Sequence, residues 1–171
     1  MIRKVADRDY NNVKKLVLQV HKLHVENRPD IYLDNEPIPL EYFNKIVTND
    51  NLNMFVYEED NKILGLLEMS IKNNNANSIA QERKIIFIED IVVDKDNRKN
   101  GIGKKLYQYV LETAKKENVD AIELNVWSFN EGAIKFYESL GMTVKNIKME
   151  SLINTPSDTN QISINVTVKT K

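Results

Sequence analysis

Apolar residues recur along this chain at two spacings, and the changeovers between them mark out the elements. Ile2 to Val5 has the look of a short strand. Val13, Leu16, Val17, Val20 and Leu23 or His24 then follow the three-and-four spacing of a buried helical stripe, with Asp7 as the expected N-cap. Prolines in "NRPDIY" and "NEPIPLEYF" interrupt that helix, and Leu40 to Val47 predicts a second one. Met54 to Tyr57 and Ile63 to Ile71, separated by "EEDNK", predict a hairpin whose polar exit is "KNNNANSIAQERK". Lys84 to Val93 is the clearest strand. Gly103 to Glu117 carries Leu106, Val110, Leu111 and Ala114 on one helical side. Ala121 to Val126 predicts a strand, Glu131 to Leu140 a helix stopped by Gly141, and Thr143 to Ser151 another strand. With no repeat and no linker, the order βααβββαβαβ predicts a single mixed α/β domain over residues 1–153, built around a partly parallel sheet. The tail, 154–171, differs in composition and places Ile162, Ile164, Val166 and Val168 at period two. It is read as a last sheet strand, with a homodimer-pairing strand and a flexible end as the alternatives.

Composition narrows the function classes. The 171 residues are 42% hydrophobic and 29% charged, enough for one domain with a sizeable core. A formal net charge of -1 gives no bulk reason to expect nucleic acid as a partner, although Arg98, Lys99, Lys104 and Lys105 form a local basic group. Cysteine is absent, which excludes disulfides, zinc-thiolate sites and a cysteine nucleophile and fits a reducing compartment. Only two histidines are present, so no metal centre is expected. The N-terminal "MIRKVADRDYNN" lacks the apolar core of a signal peptide, and no run approaches the ~18 apolar residues of a membrane helix. A cytoplasmic protein with no membrane partner is the expectation, and Asn165 to Thr167 is then a chance glycosylation triplet.

The chemistry concentrates in "IFIEDIVVDKDNRKNGIGKKL", residues 86–106, where a strand passes through polar residues into a glycine corner opening a helix. A P-loop fails, because Lys104 is followed by Lys105 and not by a hydroxyl that could hold magnesium. A dinucleotide fingerprint also fails. Leu106 stands where the third glycine belongs, and Asp94 to Asn100 separate the strand from the first glycine. What remains is Arg98-x-x-Gly101-x-Gly103. Backbone N–H groups from Lys99 through Asn100, Gly101, Ile102 and Gly103 to Lys104 can converge on an anion there, and the helix dipole favours one. A plain loop with a glycine at a helix start is the equal alternative on spacing alone.

"RKNGIG" after the strand "FIEDIVV", followed by "WSFNEGAIKFYESLGM" over residues 127–142, resembles the GNAT superfamily of acetyl-CoA-dependent N-acetyltransferases. The resemblance is firm from Ile63 to Ser151, follows element order alone before that, and leaves the tail outside. It implies a mixed sheet splayed at a fork and flanked by about four helices. It further implies that acetyl-CoA sits with its pyrophosphate on Arg98 to Lys104. The pantetheine arm would pair with the edge of Ile91, Val92 and Val93, and the Ile91 N–H would donate to the thioester oxygen. Asn130 matches a family asparagine that contacts the arm, and is equally placed to cap the next helix.

A primary amine of pKa ~10.4 must lose a proton before it can attack a thioester, so a base is needed. Strand alternation places Glu89 and Asp90 on opposite faces, so that one of them points to the substrate side. The resemblance, through family members that acetylate polyamines, implies Glu89 as the base, directly or through a water, with Asp90 either positioning the amine or making a structural bond. Tyr137 matches the family tyrosine that protonates the departing thiolate, although it also belongs to the apolar stripe Ala133, Phe136, Tyr137 and Leu140. His21 and His24, with Arg28 and Tyr32 nearby, fall where the family lines its acceptor side. The implied substrate is a small-molecule amine of polyamine or aminoglycoside type. A protein N-terminal or lysine acetyltransferase and a non-catalytic acyl-CoA-binding module are the alternatives.

Overall fold

The computed structural model describes residues 1–49 and 53–153. They fall into two compact units that meet in sequence at Asn130 and Glu131. The first contains β1 (Ile2–Lys4), α1 (Tyr10–Asn27), α2 (Leu40–Thr48), β2 (Asn53–Glu59), β3 (Lys62–Asn74), β4 (Arg83–Val93), α3 (Ile102–Glu117) and β5 (Ala121–Leu124). Its sheet runs in the order β1-β2-β3-β4-β5, with antiparallel pairs up to β4 and a parallel β4–β5 pair. The parallel pair needs a crossover, and α3 supplies it.

The two faces of the sheet are buried by different helices. Met54, Val56, Leu66 and Val92 point to one face, where they form a buried core with Val13 and Leu16 of α1 and Phe43 and Ile46 of α2. The opposite face receives α3 through the buried residues Ile102, Leu106 and Val110. Gly65 of β3 lets that helix approach closely. A Cβ built there would lie 3.1 Å from both Ile102 Cγ2 and Leu106 Cδ1, and 3.2 Å from the Val92 carbonyl oxygen. The start of α3 is therefore fixed against the sheet by a missing side chain.

Two sequence expectations change in detail. Asp7 stands inside a short 3₁₀ turn, Asp7–Asp9, that precedes α1. The local cap is made instead by Asp9, which is buried, accepts the Ala6 N–H at 2.8 Å and pairs with Arg3 at 2.6 Å. The second unit contains α4 (Glu131–Ser139), closed by Gly141 at φ 87°. The strand expected over Thr143 to Ser151 does not form: these residues carry no regular structure, and Val144, Ile147 and Met149 are exposed. Their spacing of three then two never offers a strand one continuous apolar face. The tail strand falls outside the described residues. No helix among the described residues is long and apolar enough to cross a membrane.

The tight seat of α3 on Gly65 generates a test. Gly65→Ala should lower stability by about 1–3 kcal/mol, because the Val92 backbone cannot retreat from the added methyl. A thermal melt unchanged from the wild type would show that this contact relaxes freely.

Candidate active site

The carboxylates of β4 are arranged by a break in its pairing. Asp90 lies opposite Glu68 and Ile88 opposite Met69, which leaves Glu89 without a partner in the ladder, as in a β-bulge. Ser70 Oγ donates to Glu89 Oε1 at 2.9 Å, and Lys72 Nζ lies 3.1 Å from the same carboxylate. Glu68, Ser70 and Lys72 alternate along one face of β3. Asp90 shares its face with Val92, which is buried in the α1–α2 core. The bulge therefore corrects the alternation expected for β4: Glu89 and Asp90 lie on the same face, and Glu68 joins them.

Burial and neighbouring charges shift two of these acids. Burial, reinforced by Asp90 and Glu89, pushes the Glu68 carboxyl up to about 7. Burial and then the Glu89 charge push Asp90 up to about 6. Tyr42, on α2, has its phenol raised by burial and then by Glu68 and Glu89, which places its ring near the same group. The sequence carries no local signal for Glu68. It is one acid among polar strand residues, and only the cross-strand register reveals its neighbour.

Asp90 opens into a cleft of about 140 Å³ whose other walls are Val17, Val20, His21, His24, Pro37 and Val92. His24 stacks on Tyr32 with ring centroids 4.9 Å apart. Burial, with His21 nearby, holds its imidazole below the usual histidine range. His21 Nε2 donates to the Leu33 carbonyl at 2.8 Å. Trp127 Nε1 donates to the Tyr32 hydroxyl at 3.1 Å and its ring stacks on Phe129 at 5.7 Å. The Arg28 guanidinium lies 5.0 Å from the centre of the Trp127 ring and grips Asp30 at 2.9 and 2.7 Å. The structure thus brings His24, Arg28 and Tyr32 together, and adds Trp127 and Phe129. Two aromatics directly after a strand, in "NVWSFN", were the signal available in the sequence.

On the other side of β4 the sheet opens. The parallel register runs from Ile85 opposite Ala121 to Ile88 opposite Leu124, and β5 ends there while β4 continues to Val93. The Asp94 N–H bonds the Leu64 carbonyl at 3.0 Å, which sets the parity of the β3–β4 ladder. Asp90 and Val92 exchange backbone bonds with Glu68 and Leu66, whereas the backbone groups of Ile91 and Val93 face the side that β5 has left. Val92 gives its backbone to β3 and its side chain to the core, so Ile91 and Val93 make the open edge.

That edge leads into the glycine corner. Arg98 turns back, its Nε donating to the Val93 carbonyl at 3.1 Å. Lys99 and Gly101 adopt left-handed conformations at φ 65° and 79°, with Asn100 between them. Alternation of left-handed with other conformations turns successive N–H groups toward one side. The first bond of α3 runs from the Lys105 N–H to the Gly101 carbonyl at 3.1 Å. The amides of Ile102, Gly103 and Lys104 precede it and have no intrahelical acceptor. A Cβ on Gly101 would meet nothing within 4 Å, so the corner is open to a ligand. Donors, open space and the positive end of a 16-residue helix fit a pyrophosphate. Asn130 directly precedes α4, its N–H bonded to the Trp127 carbonyl at 2.9 Å. Tyr137 lies on α4 in the second unit, its ring 5.1 Å from that of Phe136.

The raised carboxyls predict a pH dependence of stability. Groups that hold protons more tightly when folded stabilise the fold at low pH and lose that contribution as pH rises from about 4 to about 7. Glu68→Gln should therefore be more stable than the wild type at pH 8 and show a flatter decline, as read by denaturant midpoints across pH. A steeper decline in the variant would contradict the raised proton affinity of Glu68.

Comparison with known proteins agrees with this geometry. Residues 17–142 match the Acetyltransferase (GNAT) family. The tetramutant of the BH1408 protein from Bacillus halodurans superposes with a TM-score of 0.85 at 34% identity, over 90% of this chain and 99% of that one. An N-acetyltransferase of Methanocaldococcus jannaschii is 35% identical over 106 residues, which are 62% of this chain and 46% of that protein, so the chain spans about half of its length. The ribosomal protein bS18-alanine N-acetyltransferase of Escherichia coli is 34% identical over 59 residues, 34% of this chain and 40% of that protein. The open strand edge, the glycine corner and these matches together show that the chain belongs to the GNAT acetyltransferase family.

Proposed function

We propose that this protein is an acetyl-CoA-dependent N-acetyltransferase whose acceptor is a small cationic amine. The observation that carries the reading is the open backbone edge of Ile91 and Val93, running into the glycine corner with Asp90 and Glu89 beside it. Acetyl-CoA, when bound, supplies an acetyl group already activated as a thioester. The amides from Lys99 to Lys104 hold its pyrophosphate, and the Ile91 and Val93 edge pairs with its extended arm as an added strand would. The Ile91 N–H is the donor to the thioester oxygen, where negative charge grows during attack.

Asp90 is the better-placed base of the adjacent pair. It opens into the cleft, while Glu89 is engaged by Ser70 and Lys72. Taking a proton from an amine of pKa ~10.4 costs about 6 kcal/mol with a base near 6, against about 9 kcal/mol with an unperturbed aspartate. Glu89, which the family resemblance implied as base, is held by Ser70 and Lys72 and contributes negative charge to the acceptor side. Tyr137 gives its proton to the departing thiolate. A thiol of pKa ~8.5 is a good leaving group, so this help is small. His24, Arg28 and Tyr32 line the acceptor side.

The acidic face favours a polyamine or aminoglycoside over a neutral acceptor. A protein N-terminus is the second reading, supported by the bS18-alanine relative. Thiol release from acetyl-CoA across polyamines, aminoglycosides and N-terminal peptides separates these readings, and no release with any of them would leave a non-catalytic acyl-CoA-binding protein. With the preferred amine, kcat/KM should rise with pH through about 6 as Asp90 loses its proton. Asp90→Asn should lower kcat by about 10²–10⁴, whereas Tyr137→Phe should cost only a few-fold. An Asp90→Asn enzyme with wild-type turnover would move the base elsewhere.

A further inference from the structure

One side chain ties the acceptor cleft to the cofactor corner. Gln19 of α1 uses both ends of its amide on the turn that follows β4: Nε2 donates to Asp94 Oδ1 at 2.8 Å, and Oε1 accepts the Lys95 N–H at 2.9 Å. Asp94 is itself the pivot of that turn. Its second oxygen accepts Asn97 Nδ2 at 2.7 Å, its carbonyl accepts the Asn97 N–H at 2.9 Å, and its own N–H bonds Leu64 at 3.0 Å. The Gln19 and Asn97 bonds hold its carboxyl below the usual aspartate range. The next residue, Arg98, bonds back to Val93. Asp94 and its turn thus set the path from the open edge of β4 to Gly101.

The same helix forms the acceptor wall. Val17, Val20, His21 and His24 of α1 face Asp90 across the cleft, and Gln19 lies within that run. Any shift of the Asp94–Asn97 turn must pull on, or release, the helix that shapes the cleft. A glutamine suits the task because its amide offers a donor and an acceptor side by side, and the turn presents a carboxylate and an N–H in matching order.

We propose that Gln19 is a positioning residue that holds the cofactor corner in its binding shape and couples it to the acceptor cleft. This rests on the reading of residues 99–104 as the pyrophosphate site. In the cofactor-bound protein the corner is fixed, the turn is fixed with it, and Gln19 steadies residues 17–24 of α1 before the amine arrives.

The test uses the full chain, with coenzyme A binding measured by calorimetry and amide hydrogen exchange followed across α1. Gln19→Glu keeps the acceptor for the Lys95 N–H but sets a carboxylate against Asp94. It should weaken coenzyme A binding about ten-fold at pH 8 with little change in melting temperature. The double variant Gln19→Glu with Asp94→Asn restores a donor opposite an acceptor and should recover most of that loss. In the wild type, coenzyme A should slow exchange over residues 17–24; in Gln19→Leu, which removes both bonds, it should not. Wild-type affinity in Gln19→Glu, no recovery in the double variant, or equal slowing of α1 in Gln19→Leu would each overturn the proposal. If the wild type itself fails to bind coenzyme A, the cofactor reading falls, and this inference falls with it.

Discussion

A strand that outruns its neighbour exposes backbone groups that demand partners, and β4 does so from Glu89 to Val93, beyond the last residue it shares with β5. Much of the site follows from that constraint. The antiparallel ladder with β3 satisfies Asp90 and Val92 and turns Ile91 and Val93 outward, so their N–H groups are presented in a regular array, with the Val93 carbonyl taken by Arg98. An extended ligand with alternating donors and acceptors can complete them without any rearrangement of the sheet. The direction of the edge then delivers such a ligand to the glycine corner, where left-handed backbone and a helix start provide a second set of unsatisfied amides. The grip is made mainly of backbone, which leaves the side chains of the neighbourhood free for chemistry.

The bulge at Glu89 gives the same strand its electrostatics. One extra residue in β4 brings Glu89 onto the face of Asp90 and Glu68, and the burial of Asp90 and Glu68 strengthens the effect of its charge on them. Repulsion among acids is a cost to the fold, eased in part by Lys72 and Ser70 on Glu89. Burial, and after it the Glu89 charge, raises the proton affinity of Asp90 toward the range in which a carboxylate is a useful base. A backbone irregularity of one residue thus connects the geometry of the open β4 edge to the proton affinity of the acid that lines the neighbouring cleft.

The reach of the sequence is set by how local each feature is. The hairpin of β2 and β3, the strand β4 and the helices α1 to α4 were legible because their apolar spacing is a local property, and the glycine corner because few backbone paths need glycines so placed. The expectation that Ile91 and Val93 serve as an edge for the cofactor arm comes from the resemblance to known acetyltransferases, since no periodicity contains it. The common face of Glu89 and Asp90 was hidden because a bulge is decided by register with β3, and the partnership of Asp90 with Glu68 was hidden for the same reason. Gln19 carries no local signal, because its partners, Asp94 and Lys95, lie on a turn far along the chain. Thr143 to Ser151 misled in the other direction: apolar content suggested a strand that its uneven spacing does not support.

The central claim is that the open edge of β4 is where the acetyl donor binds, and it is tested most directly by residue-resolved amide exchange in the presence of acetyl-CoA. The account predicts that the amides of Ile91 and Val93 become strongly protected on binding, while that of Val92, already bonded to β3, changes little. Tight binding that leaves the Ile91 and Val93 amides as exchangeable as in the free protein would contradict it.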